Sequence, residues 1–462
     1  MNRIIETLAE KLFQQQGLER LRAILRISSI SPDLKFQERL LNAHADLVEY
    51  CTKLGLKVQS FDMQNSQGEG SFPLIVASDR SAGTNAKTVV IYGHYDVQPT
   101  GDPSTWQSPP FEPEVRVEDG IEYIFGRGTT DNKGQFWSHL EALRAFRESG
   151  DPLPVNLVFI LEGQEEIGSP GLIAWLEDQA NRDLVHGDVV VISDTSMAGV
   201  DLPAIDVGLR GHVAVKVTVH GPENGVHSGS FGGAVTDPAV WLGSQIGLFA
   251  DSDCFVRLVQ EQVPDWLLNL AKTCGLDEAA LCLRAKVSAL DKRGETLKNA
   301  LWLKPSFSVT GLHSGHDQTA SLNAIPPWAF ARLSVRLGWG MDPQETLKFI
   351  VEKLRDECPP SLKLEIEEER CFPAFYMNPT DPAFQLMNQA MQATFGNPVE
   401  FKLNGASIPA AELFSRHLGV PVILAGLGYP GGRLHEPNER HPLSQIWKGA
   451  EMAVRFWFAL AA

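Results

Sequence analysis

The sequence predicts an α/β protein built on a mostly parallel sheet, and two observations carry this prediction. Continuous apolar runs over 88–92, 155–161 and 189–192 alternate with helical patterns in the first 210 residues. Such runs are typical of strands that are buried on both faces, as in parallel sheets covered by helices. The last 90 residues resume the alternation, with a helical pattern over 383–395 and an apolar run over 420–425.

A different pattern separates these two stretches. Segments 213–220 and 330–337 alternate apolar and polar side chains, which predicts half-exposed antiparallel strands. We therefore expect a main α/β domain in two parts, 1–210 and 373–462, interrupted by an inserted α+β domain at 211–372.

Composition excludes several classes of protein. The 462 residues include 40 Lys and Arg but 57 Asp and Glu, giving a net charge of −17, which disfavours nucleic acid and anionic membranes as partners. No apolar stretch is long enough to span a bilayer, and residues 1–16 predict an amphipathic helix rather than a signal peptide. The six cysteines form no C-x-x-C pair, so we expect reduced thiols and a cytoplasmic location.

Residues of metal-binding type follow the predicted strands at their carboxyl ends. Because ligands of open α/β sheets bind at that edge, we expect these side chains to converge. The set comprises His94 and Asp96 after 88–92, Asp131 after 123–125, Glu165 and Glu166 after 155–161, Asp194 after 189–192, and His435 beyond 420–425.

Electrostatics predicts cations among these residues. Without them, Asp131, Glu166 and Asp194 would repel one another and their pKa values would rise. Two divalent ions would outweigh the three carboxylate charges and favour a bound hydroxide, an arrangement typical of hydrolases. Histidine and carboxylate ligands without thiolates favour Zn²⁺, with Mn²⁺ or Co²⁺ as alternatives.

Spacing suggests further roles. If the chain is extended, His94 and Asp96 share a face, so that Asp96 can orient the imidazole instead of binding metal. Adjacent Glu165 and Glu166 cannot both point the same way, which favours one metal ligand and one proton acceptor.

Four segments resemble the metal-site motifs of the di-metal aminoacylase and carboxypeptidase superfamily, which includes carnosinase-type dipeptidases. These segments are His94–Pro99, Gly126–Gly134, Glu165–Ser169 and Leu434–Glu439. The resemblance implies a zinc-exopeptidase-like catalytic domain, with the insert serving as a lid or dimerisation domain.

The resemblance also implies roles for individual residues. It makes Glu165 the general base and acid, and the Asp131–Asn132 peptide bond cis. The implied ligands are Asp131 as the bridge, His94 and Asp194 on one metal ion, and Glu166 and His435 on the other.

The insert contains further residues that match the family. His227, within Val226–Gly229, resembles the histidine that reaches a substrate oxyanion, usually in the partner subunit's site, which implies a homodimer. Asn323, Arg336 and Ser407 match substrate-contacting positions of carnosinase-like members, and Arg336 is suited to a substrate carboxylate.

Two features are less regular. Carnosinase-like relatives often carry an arginine where this chain has Leu403, although the length of the insert favours the dipeptidase subgroup. His313 and His316 have the spacing of metal ligands but lie in a loop of the insert, and we interpret them as structural.

The predicted function is that of a metal-dependent dipeptidase or related exopeptidase, which cleaves a peptide bond next to a free carboxylate with two metal ions per subunit. The alternatives are an amidohydrolase acting on N-acyl or N-carbamoyl amino acids, and an inactive binding protein with the same fold.

Overall fold

The computed structural model describes residues 1–250, 253–315 and 323–462. The chain divides into two compact units. The first unit contains Met1–Val207, Met377–Lys402 and Pro409–Ala462, and the second contains Gly208–Tyr376 and Leu403–Ile408. These limits lie three and four residues from the expected ones at 210 and 372, and no sequence signal indicated that Leu403–Ile408 belongs with the second unit.

The helices and strands of the described residues are numbered in chain order. The α-helices are α1 (Asn2–Ala9), α2 (Lys11–Leu25), α3 (Gln37–Lys53), α4 (Lys133–Ser149), α5 (Pro170–Glu177), α6 (Gln179–Leu184), α7 (Ser228–Phe231), α8 (Pro238–Ala250), α9 (Asp253–Val256), α10 (Asp265–Thr273), α11 (Glu278–Ala285), α12 (Gly294–Trp302), α13 (Pro343–Asp356), α14 (Pro382–Phe395), α15 (Pro409–Leu418) and α16 (Leu443–Ala461). The strands are β1 (Lys57–Phe61), β2 (Leu74–Asp79), β3 (Thr88–His94), β4 (Glu114–Glu118), β5 (Ile121–Phe125), β6 (Asn156–Glu162), β7 (Val189–Ile192), β8 (Ala204–Leu209), β9 (Gly211–His220), β10 (Val226–His227), β11 (Ser306–Ser314), β12 (Ala324–Ile325), β13 (Trp328–Leu337), β14 (Lys363–Phe372), β15 (Phe375–Tyr376), β16 (Glu400–Asn404), β17 (Val422–Leu424) and β18 (Arg440–Pro442). Short 3-10 helices lie at Leu34–Phe36, Pro103–Thr105 and Glu165–Ile167.

The first unit is built on a sheet in the order β1-β2-β6-β3-β7-β17-β8. Strands β6, β3, β7 and β17 are mutually parallel, while β1, β2 and β8 are antiparallel to their neighbours. The predicted α/β fold with a mostly parallel sheet is therefore confirmed. Every residue of β3 and β6 is buried, which explains their uninterrupted apolar character.

Helix α4 begins two residues after Asp131 and anchors this part of the chain in the core. It is buried along almost its whole length and packs against β3 and α16. Phe136, Trp137 and Phe146 are each at most 1% exposed, so the start of this helix is held firmly in the core.

One predicted strand does not belong to the central sheet. Strand β5 pairs with β4 and β18 in a separate antiparallel three-stranded sheet. The expectation that 123–125 is a fifth strand of the central sheet is therefore wrong, because three apolar residues carry no information about the sheet that they join. The pairing of β5 with β18 places the loop after Phe125 beside the loop before Arg440.

Two helical segments are each divided at an acidic residue. The helix predicted over 1–16 forms α1 and α2, separated at Glu10, which has extended backbone angles. Helices α5 and α6 are separated at Asp178, whose side chain caps the second helix by accepting the Ala180 N–H at 2.9 Å. Among the described residues, no helix combines the length and the apolar character needed to span a bilayer.

The second unit contains an antiparallel sheet in the order β11-β13-β9-β14. The antiparallel strands predicted at 213–220 and 330–337 are confirmed, and the structure adds that β9 and β13 pair with each other along their whole length. Odd-numbered residues from Val213 to Val219 face a core that α8 and α13 cover, and even-numbered residues face away from it.

A buried ion pair on α4 generates the first prediction. Glu141 is fully buried, and its Oε2 accepts hydrogen bonds from Arg144 at 2.9 and 2.5 Å. We expect Arg144→Met to lower the free energy of unfolding by about 3–5 kcal/mol, because Glu141 would lose its buried counter-charge. Urea unfolding measures this change, and Arg455→Met is the matched control. Arg455 pairs with Glu451 at 2.6 Å on a partly exposed helix face, so its loss should cost about 1 kcal/mol or less. Equal losses in the two variants would contradict the prediction.

Candidate metal centre

Asp131 lies between two imidazoles. Its Oδ1 is 3.1 Å from Nε2 of His94, and its Oδ2 is 2.8 Å from Nε2 of His435. The Asp131–Asn132 peptide bond is cis, as the family resemblance implied. The two oxygens of a single carboxylate therefore serve two neighbouring clusters.

Each cluster has the composition of a metal site. In both, one ligand atom from each of three side chains lies within 4.8 Å of the others, and Asp131 is shared. The clusters consist of His94, Asp131 and Asp194, and of Asp131, Glu166 and His435. Imidazole nitrogens and carboxylate oxygens without a thiolate fit Zn²⁺, Mn²⁺ or Co²⁺. The structure thus brings together the five residues predicted as ligands, while their binding of metal stays a prediction.

Asp96 lies behind the imidazole of His94. The Nδ1 atom of His94 is 3.1 Å from the backbone oxygen of Asp96 and 3.3 Å from its Oδ1, so Nε2 faces Asp131. The carboxylate of Asp96 also accepts the Ser31 hydroxyl at 2.6 Å. Asp96 is outside both clusters, in keeping with the orienting role expected from its spacing.

The same carboxylate positions the two adjacent glutamates. Asp96 accepts the backbone N–H of Glu165 at 3.2 Å and that of Glu166 at 3.1 Å. Glu166 then places its Oε2 3.4 Å from Nε2 of His435 and accepts Nε2 of Gln98 at 2.8 Å. Glu166 belongs to one of the clusters and Glu165 to neither, while the division into a metal ligand and a proton acceptor stays a prediction.

Burial and mutual repulsion make most of these carboxylates hard to ionise. Burial and the charge of Asp131 raise the pKa of Glu166 to about 7. Burial also raises the pKa of Asp194, and burial together with Asp194, Glu166 and Asp131 raises the pKa of Glu165 well above its usual range, although His94 opposes this. The expectation of raised pKa values therefore holds for Glu166 and Asp194.

Asp131 departs from that expectation. Burial opposes its ionisation, but hydrogen bonds from His435 and His94 lower its pKa below the usual range. In turn, the hydrogen bonds of His435 to Asp131 and Glu166 raise the imidazole pKa to about 10. The centre therefore holds protons in compensation for its carboxylates, and divalent cations would provide the same compensation.

Glu439 is a site residue that the sequence reasoning missed. Its Oε1 accepts the backbone N–H of Thr130 at 2.8 Å and of Asp131 at 3.0 Å. Its Oε2 accepts the N–H of Gly128 at 3.0 Å and Nη1 of Arg127 at 2.8 Å. The available signal was the presence of an arginine and a glutamate of opposite charge within two of the four motif segments.

Asn132 is a second such residue. Its Nδ2 donates to Oδ1 of Asp194 and to the backbone oxygen of Ser193, both at 2.6 Å, and its Oδ1 accepts the N–H of His94 at 3.3 Å. Asn132 therefore orients Asp194 through a neutral donor. The sequence did not indicate this role, because only the fold brings Asp194, Ser193 and His94 within reach of the Asn132 amide.

The second unit contains the other predicted site residues, in two neighbouring pairs. His227 is exposed in β10, and the next residue, Ser228, donates its N–H to the backbone oxygen of Asn323 at 2.9 Å. Nη1 of Arg336 donates to Oγ of Ser407 at 2.8 Å. Their contacts with substrate stay predictions.

Other residues of this unit have structural environments. Leu403, which stands where relatives often have an arginine, is 5% exposed and therefore occupies an apolar position. The ring of His313 packs in a tilted arrangement against Trp328 and Phe330, with ring centroids 5.4 and 6.3 Å away, which agrees with a structural role. His316 lies outside the described residues.

Comparison with known proteins identifies the family. Residues 90–459 match the model of peptidase family M20/M25/M40. The chain belongs to this family.

It is 27% identical to the Cys-Gly metallodipeptidase dug1 of Schizosaccharomyces pombe, over 100% of this chain and 98% of the relative. It is 29% identical to the beta-Ala-His dipeptidase of Homo sapiens, over 97% of this chain and 91% of the relative. The solved structure of the dipeptidase Dug1p from Saccharomyces cerevisiae matches with a TM-score of 0.85 at 25% identity, covering 100% of this chain and 98% of that chain. The predicted superfamily and peptidase class are thereby confirmed.

A neutral histidine in the second unit of this M20/M25/M40 peptidase generates the next prediction. Burial and the charges of Arg336, Arg370 and Arg210 lower the pKa of His212 to about 3, and its Nε2 lies 2.8 Å from Oγ of Ser334. The unfolded chain takes up a proton near pH 6.5 whereas the folded protein does not, so this group costs stability as the pH falls below about 6.5.

We expect acidification from pH 7 to 5.5 to destabilise the wild type more than His212→Gln, by about 1 kcal/mol. Urea unfolding at both pH values measures the difference. If His212→Gln loses as much stability as the wild type, the imidazole is not held neutral by its surroundings.

Proposed function

We propose that the protein is a metal-dependent dipeptidase that hydrolyses the peptide bond next to a free carboxylate. The observation that carries this proposal is the Asp131 carboxylate between His94 and His435, with Glu165 beside the cluster but outside both triads. Full-length similarity to proteins named as dipeptidases supports the substrate class.

Two divalent ions per subunit form the first part of the proposal. His94, Asp131 and Asp194 would hold one ion, and Asp131, Glu166 and His435 would hold the other. Zinc suits these nitrogen and oxygen ligands, with manganese or cobalt as alternatives. When bound, such ions supply an activated water and polarise the scissile carbonyl group.

Glu165 carries the proton. Its carboxylate belongs to neither triad, so it is available to accept a proton from the hydrolytic water and to deliver it to the nitrogen of the leaving amine. Asp96 is a positioning residue, because its contacts with Nδ1 of His94 keep Nε2 directed towards Asp131.

The second unit would bind the remainder of the substrate. Following the family resemblance, His227 donates to the developing oxyanion, Arg336 with Ser407 pairs with the terminal carboxylate, and Asn323 contacts the substrate. The proposal includes a homodimer in which His227 serves the partner subunit's site.

A cytoplasmic location completes the proposal and is supported by cysteine chemistry, because secreted proteins usually oxidise such residues. Free thiols are carried by Cys51, Cys282, Cys358 and Cys371.

A substrate panel tests the proposed function. We expect the metal-loaded protein to hydrolyse dipeptides faster than N-acetyl or N-carbamoyl amino acids, to lose activity in a chelator, and to regain it with zinc, manganese or cobalt. Amino acid release, followed by chromatography, gives the rates. Turnover confined to N-acyl or N-carbamoyl compounds would assign an amidohydrolase instead. Bound metal without any turnover would indicate a binding protein.

Paired variants test the division between the two glutamates. We expect Glu165→Gln to keep both metal ions but lose about 10²- to 10⁴-fold in kcat, because it lacks the proton acceptor. We expect Glu166→Gln to lose metal, since its carboxylate belongs to the second triad. Metal per chain and kcat are measured together, and Glu436→Gln, on an exposed carboxylate beside His435, is the control that should keep both. Equal metal retention in the Glu165 and Glu166 variants would overturn the assignment.

A further inference from the structure

Three arginines gather at one end of the sheet in the second unit. On the face opposite the core, Arg336 of β13 lies across from His212 of β9. Two residues further along β9, Ala214 lies across from both Ser334 of β13 and Arg370 of β14. Residues directly across from one another in paired strands point to the same face, and so do residues two apart in one strand, so the side chains of Arg336 and Arg370 share this face.

These guanidinium groups have no carboxylate partner among the described residues. Arg336 donates to Oγ of Ser407 at 2.8 Å, and Arg210 donates to the backbone oxygens of Gly405 and Ala300 at 3.1 and 3.2 Å and to Oγ of Ser306 at 2.9 Å. In the part of the chain that the structure describes, Arg370 takes part in no ion pair.

Two of the three glutamates that precede Arg370 in β14 are already paired, and the third, Glu368, lies across from the core residue Val215 and so belongs to the other face of the sheet. Glu367 accepts Nζ of Lys216 at 2.8 Å, and Glu369 accepts Nε of Arg332 at 2.8 Å. The pairing leaves the end of the sheet around Arg336 with an excess of positive charge.

The positive groups affect one another. Burial and the charge of Arg370 lower the pKa of Arg336, and burial and the charge of Arg336 lower the pKa of Arg210 to about 10. An anion bound among them would relieve this repulsion, and each guanidinium offers a two-pronged donor that matches a carboxylate.

One terminal carboxylate of a dipeptide needs only one such group. We propose that Arg370, beside Arg336, binds a second carboxylate, so that the preferred substrates are dipeptides whose carboxyl-terminal residue is aspartate or glutamate. This inference rests on the proposed function for the reaction and for the role of Arg336. It assigns to Arg370 a specificity that the family resemblance does not imply.

Isosteric substrates test the inference. We expect kcat/KM for Ala-Glu to exceed that for Ala-Gln by about tenfold or more, which corresponds to about 1.4 kcal/mol. Arg370→Gln should abolish this preference by slowing Ala-Glu while leaving Ala-Gln within about twofold of the wild type. Arg332→Gln is the matched control, because its guanidinium lies on the same face but is paired with Glu369, and the preference should persist.

Two kinetic outcomes would overturn the inference. The first is equal rates for Ala-Glu and Ala-Gln in the wild type. The second is an equal loss for both substrates in Arg370→Gln, which would place Arg370 on the carboxylate that all dipeptides share.

Binding of small acids separates this inference from the proposed function. We expect glutarate to raise the thermal unfolding midpoint more than butyrate does, and Arg370→Gln to remove the difference. If the protein hydrolyses no dipeptide but glutarate still depends on Arg370, the dipeptidase proposal fails and the two-carboxylate site stands. If dipeptides are hydrolysed but glutarate and butyrate act alike, the inference about Arg370 fails and the proposed function stands.

Discussion

The carboxylate of Glu439 is the interaction on which the candidate metal centre depends. It accepts three backbone N–H groups from the loop Gly128–Asp131 and a hydrogen bond from Arg127. Because β18 follows Glu439 directly and pairs with β5, the segment that carries His435 is fastened to the segment that carries Asp131. Burying this carboxylate is unfavourable by itself, and the four hydrogen bonds together with the arginine charge offset that cost. Glu439 thus holds Asp131, the residue that the two clusters share, in position, although Glu439 itself belongs to neither cluster.

Charge is the second constraint on the centre. Two imidazoles keep Asp131 acidic, whereas burial and repulsion raise the pKa values of Glu166 and Asp194. The amide of Asn132 contributes a donor to Asp194 at a position where a further carboxylate would add repulsion. The carboxylates are therefore close enough for Glu166 and Asp194 to hold protons more tightly than usual, and the neutral amide of Asn132 avoids a further negative charge. Such an arrangement favours divalent cations over water as its neighbours.

Strands could be predicted from the sequence where burial on both faces produces a continuous run of apolar residues. The run at 88–92 is continuously apolar because both faces of β3 are covered, whereas the three residues 123–125 look the same in any sheet. The approach of His94, Glu166 and Asp194 was predictable because they follow strand ends that the central sheet fixes in space. Asp131 instead follows β5 of a separate sheet, and the pairing of β5 with β18 brings its segment beside the one that carries His435. For Glu439 the sequence offered only the opposite charge of Arg127, and for Asn132 it offered no signal, because most hydrogen bonds of these two side chains join backbone groups that have no residue signature.

The arginines of the second unit show how local charge can oppose the charge of the whole chain. A net charge of −17 repels anionic substrates at long range, but salt at physiological concentration screens charges beyond about 8 Å. The electrostatic interaction of a substrate carboxylate at its binding site is therefore dominated by the charged groups within that distance. At the end of β13 those groups include Arg336 and Arg370, while Glu367 and Glu369 of β14 are engaged with Lys216 and Arg332. The ion pairs of Glu367 and Glu369 thus have a consequence beyond stability, since they leave Arg336 and Arg370 without a carboxylate partner among the described residues.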